Sequence, residues 1–192
     1  MHGLASLAAD YGTMRPYGRF AMLQLPGKRW KHVASIAICV FFLLDGSHAS
    51  ARGDSQEDKA SIKDAITQYS YAWDSKDSSA WAALYTESAT LDAYQPGEDT
   101  PSRSIVSRRK ILKYAESNHT GRLRNIQTRH HATAIVFEEL TSITARTRHM
   151  VLITHKSPSD QHPEIRGTGT YQIEWRKIDE KWLISHRTYY PD

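Results

Sequence analysis

The sequence predicts an α+β domain in which helices cover one face of a strongly curved antiparallel sheet. Three segments with helical periodicity or capping signals, and one short strand, come first, between residues 55 and 117. Four long segments rich in β-branched and aromatic residues follow, between residues 123 and 190, and short turns join them. Such connections favour antiparallel pairing, and helices that precede a run of strands are typical of the α+β class.

The helices are predicted from spacing and from capping residues. The first has an apolar stripe at helical spacing, formed by Ile62, Ile66, Tyr69 and Trp73. Asp54 or Ser55 can cap its start, and it is expected to end near Asp74. Asp77 is predicted to cap a short second helix, and residues 107–117 form the third. Residues 88–94 alternate as a strand, and the Pro- and Gly-containing residues 95–102 form a loop.

Residues 1–51 have the pattern of a secretory signal peptide. A basic segment that contains Lys28, Arg29 and Lys31 precedes twelve uncharged residues, Val33–Leu44, and the triplet that ends at Ala51 fits a cleavage site. Twelve apolar residues make a helix of about 18 Å, too short for a hydrocarbon core of about 30 Å, although an uncleaved anchor stays an alternative. The sequence thus predicts a secreted or periplasmic domain, residues 52–192, without a stable membrane anchor.

Charge and cysteine content argue against several function classes. The chain carries a net charge of +4, but five of its 25 basic and two of its 21 acidic residues lie in the leader, so the domain is nearly neutral. This balance gives no reason to expect nucleic-acid binding. The single cysteine, Cys39, also lies in the leader, so the domain has no disulfide or thiolate nucleophile. No metal-binding motif is present, and we expect neither a metal nor a cofactor.

Two histidines lie on strand faces that could line a pocket. In the first long strand, alternation places His130 with Ala132, Ala134 and Val136, and His131 on the opposite face. In the second, His149 shares the more apolar face. A core histidine that bonds a backbone carbonyl remains the alternative for His149. A curved sheet packed on helices leaves a concave pocket, the usual place for a small ligand.

The order of these motifs resembles the SnoaL-like branch of the NTF2-like superfamily over residues 55–190. The matching segments are "YSYAWDSKD", "ALYTESATLD", "TRHHATAIVFEE" and "GTGTYQIEWRKIDEKWLISHRTY". The resemblance implies a cone-shaped fold with a deep pocket, often a homodimer, and no cofactor. The family includes dehydratases such as scytalone dehydratase, isomerases and polyketide cyclases, and members with no known activity.

The resemblance also implies roles for particular residues. The aromatic–Asp pair at the end of the first helix falls on Trp73 and Asp74, where Trp73 replaces the more common Tyr. The pocket histidine falls on His130, and a second falls near His149. Asp74, His130 and His149 are therefore the predicted catalytic residues. The predicted substrate-binding residues are aromatic: Tyr69, Tyr71, Trp73, Tyr94 and Tyr171.

Two functions remain open from the sequence. The first is a cofactor-free lyase or isomerase, dehydratase-like, in which His130 moves a proton on a hydrophobic cyclic or polyketide-like molecule and Asp74 orients the imidazole. The second is a non-catalytic module that uses the same fold to bind a small molecule or a partner, because a fold does not by itself imply a function.

Overall fold

The computed structural model describes residues 37–192, with side chains from residue 55 onward. The elements are helices α1 (Ala37–Asp74), α2 (Ser78–Ala83) and α3 (Arg108–Thr120), and strands β1 (Tyr85–Ala93), β2 (Arg103–Val106), β3 (Gln127–Leu140), β4 (Thr144–Lys156), β5 (Glu164–Ile178) and β6 (Lys181–Pro191). This order confirms the predicted α+β class. Most of the predicted leader lies outside the described residues, and of residues 37–51 only the helical backbone of α1 is described.

The six strands form one curved, open sheet in the order β2-β1-β6-β5-β4-β3. The four long strands pair antiparallel with their sequence neighbours, as predicted. The expectation of a purely antiparallel sheet is wrong in one place, because β1 runs parallel to β6. The prediction also missed β2, which pairs with β1 directly after the loop. A four-residue strand beside a Pro-rich loop leaves too few residues for alternation to be seen.

Helix α1 packs its predicted stripe into the core. Ile62, Ile66, Tyr69 and Trp73 are all buried, with relative exposures from 0% to 8%. The predicted start of this helix at Asp54 or Ser55 is wrong, because the helical backbone already begins at Ala37. No described helix is long and apolar enough to cross a membrane.

The starts of α2 and α3 are set by capping residues. Asp77 caps α2, since its Oδ1 accepts a hydrogen bond from the Ala80 amide at 2.8 Å, as predicted. Ser107 caps α3 through the Lys110 amide. Between α1 and α2, the chain reverses within three residues, and Lys76 has a positive φ of 63°. This tight turn fixes where Asp74, the last residue of α1, lies relative to the sheet.

Bulges curve the long strands and shift which side chains face inward. In β3, the register with β4 slips after Thr133, and Ala134 adopts a φ of 52°. A bulge of this kind bends a strand and breaks its alternation. His130 and Ala132 therefore share the inner side with Ile135 and Phe137, whereas Val136 is 48% exposed. The predicted grouping of His130 with Ala134 and Val136 is wrong beyond the bulge.

Candidate active site

The carboxylate of Asp74 is held by three hydrogen bonds from β3. The Thr128 hydroxyl donates to Oδ1 at 2.7 Å, and the His130 amide donates to Oδ2 at 2.8 Å. The His130 ring contributes the third contact, with Nδ1 2.7 Å from Asp74 Oδ1. Both side chains are nearly buried, with 7% of His130 and 9% of Asp74 exposed. The end of α1 and the start of β3 are thus joined by one carboxylate.

These donors determine the charge of Asp74 and the tautomer of His130. Burial alone would raise the pKa of the Asp74 carboxyl. The net shift is nevertheless downward, because the hydrogen bond and charge of His130, followed by the Thr128 hydroxyl and the His130 amide, all stabilise the ionised form. A helix C-terminus disfavours an acid by about 0.3–1 kcal/mol, less than one hydrogen bond to a charged group contributes. Because the carboxylate can only accept, Nδ1 of His130 carries the proton and Nε2 is left as the basic atom.

His130 borders a cavity of about 230 Å³ between the helices and the concave side of the sheet. The lining side chains are mostly aromatic and aliphatic, and several are cationic. They are Tyr69, Trp73, Trp81, Leu91, Ala93, Arg103, Tyr114, Arg122, Leu123, His130, Ile153, His155, Arg166, Gly167, Tyr171, Arg187 and Tyr189. A concave, largely apolar site with a few convergent polar groups is the usual form of a small-molecule site. The cavity is slightly smaller than most such sites.

Three of the five aromatic residues predicted to bind substrate line this cavity. They are Tyr69, Trp73 and Tyr171. Tyr71 does not lie there: it is 74% exposed, on the solvent side of α1, beside a surface groove that Asp74 and His130 also line. Tyr94 does not lie there either, because it stacks on Tyr190 with ring centroids 4.9 Å apart. The residue before it, Ala93, is the one that alternation turns toward the cavity.

His149 is close to the cavity but is not among the residues that line it. It is 3% exposed, and its ring meets that of Tyr171 edge-on at 5.5 Å. Burial, and then the charge of Arg187, lower the pKa of His149 to about 4, so the ring is neutral at pH 7. Its Nδ1 has no partner among the described residues. His149 therefore supports the wall of the site, and the structure does not place it within hydrogen-bond distance of Asp74 or His130.

The sequence interpretation missed Arg187, which is buried against the aromatic wall. Its guanidinium carbon lies 4.5 Å from the centre of the Tyr171 ring, and Nη1 donates to the Tyr69 hydroxyl at 3.1 Å. No described carboxylate pairs with it, and its Nε has no partner there. A buried cation without a counter-ion is costly, so one with free donors in a cavity is a candidate for binding an oxygen of a ligand.

A bulge explains why Arg187 was missed. Alternation from Trp182 and Ile184 would turn His186 inward and Arg187 outward. In the structure, Glu174 pairs with His186 and Trp175 with Ile184, so Ser185 is an extra residue and the pattern shifts by one. Nothing in the sequence marks this position as a bulge.

The cavity and its His–Asp pair lie within a domain of known family. The model of the SnoaL-like domain matches residues 54–188. No curated protein matches the chain.

Solved structures with this fold are similar over most of the chain. A variant of Rv3472, a protein of unknown function from Mycobacterium tuberculosis, is 23% identical, with a TM-score of 0.61 and 71% of this chain and 73% of that one covered. A protein from Novosphingobium aromaticivorans proposed to be a scytalone dehydratase is 22% identical, with a TM-score of 0.62 and coverages of 73% and 88%. An NTF2-like protein with a cystatin-like fold from the same organism is 17% identical, with a TM-score of 0.63 and coverages of 74% and 87%. The family model covers most of the described domain, and the chain belongs to the SnoaL-like domain family.

Proposed function

We propose that this domain is a cofactor-free lyase or isomerase that removes a proton next to a carbonyl group of a small cyclic molecule. The observation that carries the proposal is the contact between Asp74 and His130 Nδ1 at the edge of the aromatic cavity. A neutral imidazole whose second nitrogen is hydrogen-bonded to a carboxylate is a suitable general base near pH 7. The similarity to a protein proposed to be a scytalone dehydratase is consistent with a dehydration.

His130 takes the proton in this scheme and Asp74 positions it. The substrate C–H bond breaks, its proton moves to Nε2, and its electron pair passes into the carbonyl to form an enolate. The carboxylate of Asp74 then stabilises the imidazolium that results, without itself accepting the proton, as its lowered pKa requires. Return of the proton to another carbon would complete an isomerisation. Its delivery to a departing hydroxyl would complete a dehydration.

Arg187 and Tyr69 are the candidate donors to the carbonyl oxygen as negative charge develops. Burial raises the pKa of the Tyr69 hydroxyl well above its ordinary value, so the group stays protonated. Tyr69 accepts a hydrogen bond from Arg187, so its own O–H is left as a donor, for which the neighbouring Tyr85 hydroxyl competes. Fixed donors in a site that excludes water stabilise an oxyanion strongly, and loss of one such donor costs about 10²–10³ in rate.

Exchange of α-protons tests the proposal without knowledge of the natural substrate. Tetralone, a bicyclic ketone, is incubated with the protein in deuterated buffer, and the loss of its α-proton signal is followed by NMR. We expect the wild-type protein to accelerate the exchange and His130→Ala to reduce that acceleration by about 10²–10⁴-fold. His131→Ala is the matched control, since His131 is the exposed neighbour on the same strand. Equal rates in both variants would refute the role of His130 and favour the non-catalytic binding module.

Export and self-association are further parts of the proposal. The basic and apolar segments before Ala51 support cleavage by a signal peptidase and a secreted or periplasmic location. The family resemblance supports a homodimer. Mass spectrometry of the protein recovered from an expressing cell would show whether its N-terminus is Arg52, and light scattering would show its oligomeric state.

A further inference from the structure

Several cationic side chains line the cavity, and no acidic side chain among the described residues does. Its lining includes Arg103, Arg122, Arg166 and Arg187 and no Asp or Glu. We propose that the ligand of this cavity is a small aromatic molecule that carries a carboxylate, which the arginines at the mouth bind while its rings pack against the aromatic wall. The inference uses the same cavity as the proposed function, and names the charge and class of the molecule that enters it.

Arg103 and Arg122 are held at the mouth by neutral groups only. Arg122 Nε donates to the Asn118 side-chain oxygen at 2.6 Å, and Arg103 Nη1 donates to the Tyr114 hydroxyl at 3.2 Å. The Arg103 guanidinium also lies 5.2 Å from the centre of the Tyr114 ring. Each contact uses one of five N–H donors and fixes the head of the side chain. Among the described residues, no carboxylate lies within ion-pair distance of either arginine, so both are available to an incoming anion.

Arg166 reaches the same mouth because β5 bulges beside it. Ile153 pairs with Gly167 and Thr154 with Ile165, which leaves Arg166 as the extra residue. Its guanidinium pairs with Glu164 at 3.0 Å, but both side chains are more than half exposed, so this ion pair contributes little. The neighbouring His155 has its pKa lowered by burial and then by Arg122, His130 and Arg166, which together outweigh the opposing charge of Asp74.

The shape of the cavity restricts the rest of the ligand. Tyr69, Trp73, Trp81 and Tyr171 form the buried wall. A volume of about 230 Å³ is below the roughly 300–1,000 Å³ of sites for drug-sized ligands, which favours one or two fused rings. The three mouth arginines are exposed and Arg187 is buried. If the mouth arginines bind the carboxylate of the ligand, Arg187 can therefore bind a second oxygen of the same ligand deeper in the cavity. Arginine suits this task because its planar guanidinium matches a carboxylate with two parallel hydrogen bonds.

A pair of probes of equal shape tests the inference. Naphthoate and naphthamide differ in charge but have nearly the same volume, and their affinities are measured by calorimetry at low and high salt. Hydrogen bonds to charged groups contribute about 1.5–3 kcal/mol, so we expect naphthoate to bind roughly tenfold to a hundredfold more tightly at low salt. The preference should shrink at high salt, because the mouth arginines are exposed to solvent.

Variants identify the arginines responsible. Arg103→Gln combined with Arg122→Gln should reduce the preference for naphthoate to about twofold and leave the affinity for naphthamide unchanged. The control, Arg124→Gln, removes an exposed arginine outside the cavity and should keep the full preference. Thermal melts of all variants show whether each is folded. The two single variants, Arg103→Gln and Arg122→Gln, are measured as well, in case the double variant does not fold.

The inference is overturned if the wild-type protein binds the two probes equally, binds neither, or keeps its preference in the double variant. Because binding is measured without turnover, this failure is distinct from a failure of the proposed function. A protein that exchanges the protons of neutral tetralone but does not prefer naphthoate retains the proposed function and lacks the carboxylate site. A protein that prefers naphthoate but catalyses no exchange has the carboxylate site in a binding module.

Discussion

Replacement of Asp74 by Asn removes a negative charge while almost preserving the shape of the side chain. The carboxylate accepts three hydrogen bonds, from Thr128 Oγ1, His130 Nδ1 and the His130 amide, at 2.7–2.8 Å. An Asn has only one accepting oxygen, so its NH₂ group must face at least one of these donors. With one hydrogen bond to a charged group lost, we expect Asp74→Asn to lower the free energy of unfolding by about 1.5–3 kcal/mol at pH 7.

The loss should depend on pH with a defined sign. The folded protein lowers the pKa of Asp74 from its ordinary value of 3.8, so the carboxylate stabilises the folded state fully above that value. The stabilisation disappears as the pH falls through the lower, folded pKa. The stability difference between the wild-type protein and the variant should therefore be largest at neutral pH and shrink as the pH is lowered below about 4.

Urea unfolding at neutral and acid pH measures this difference. Asp64→Asn is the matched control, since Asp64 is exposed on the same helix and should change the stability by less than about 0.5 kcal/mol. A variant at Asp74 as stable as the wild-type protein at neutral pH would refute the claim that three donors hold an ionised carboxylate. So would a difference that grows as the pH falls.

Three other substitutions test separate parts of the structure. Gly169→Ala places a Cβ against the Tyr190 carbonyl oxygen, so it should lower the free energy of unfolding by about 1–3 kcal/mol and lower the thermal midpoint with it. An unchanged melting curve would contradict the packing of β5 on β6. Asp58→Ala leaves the Trp182 indole N–H, now 2.8 Å from Asp58 Oδ1, without its acceptor, which should cost about 1–3 kcal/mol in urea unfolding. His149 is neutral when folded and has its pKa lowered by burial to about 4, so protonation of the unfolded chain should remove about 3 kcal/mol of stability between pH 6.5 and pH 4. His149→Phe should lack this part of the pH dependence, and equal slopes for the variant and the wild-type protein would contradict the assignment.

Sequence periodicity was sufficient to predict which side chains are buried wherever a helix or strand is regular. The stripe from Ile62 to Trp73 predicted the buried face of α1, and that face carries Tyr69 and Trp73 to the cavity. The end of α1 at Asp74 and the cap at Asp77 followed from local chemistry. The contact between Asp74 and His130 joins residues 56 positions apart. Composition and spacing gave no basis for it, and only the family resemblance pointed to the pair.

Irregular strands account for the features that the sequence did not predict. Bulges at Ala134, Arg166 and Ser185 shift the inward-facing positions by one residue. Glycines inside the β5 pattern, Gly167 and Gly169, signal an irregularity beside Arg166, but nothing in the sequence marks the other two. The bulges caused the wrong face for Val136 and concealed Arg187. The parallel pairing of β1 with β6 joins distant segments, so no turn between them could predict it. The curvature that forms the cavity thus arises at the positions where alternation fails.

The protonation pattern of the His130 ring tests the central claim most directly. A long-range ¹H–¹⁵N correlation spectrum distinguishes a protonated ring nitrogen from an unprotonated one, and the His130→Ala spectrum assigns the signals. In the neutral ring of the wild-type protein we predict the proton on Nδ1, opposite the Asp74 carboxylate, and an unprotonated Nε2 available to the ligand. A proton on Nε2 would contradict the claim, because the ring would then have no basic atom to offer a substrate.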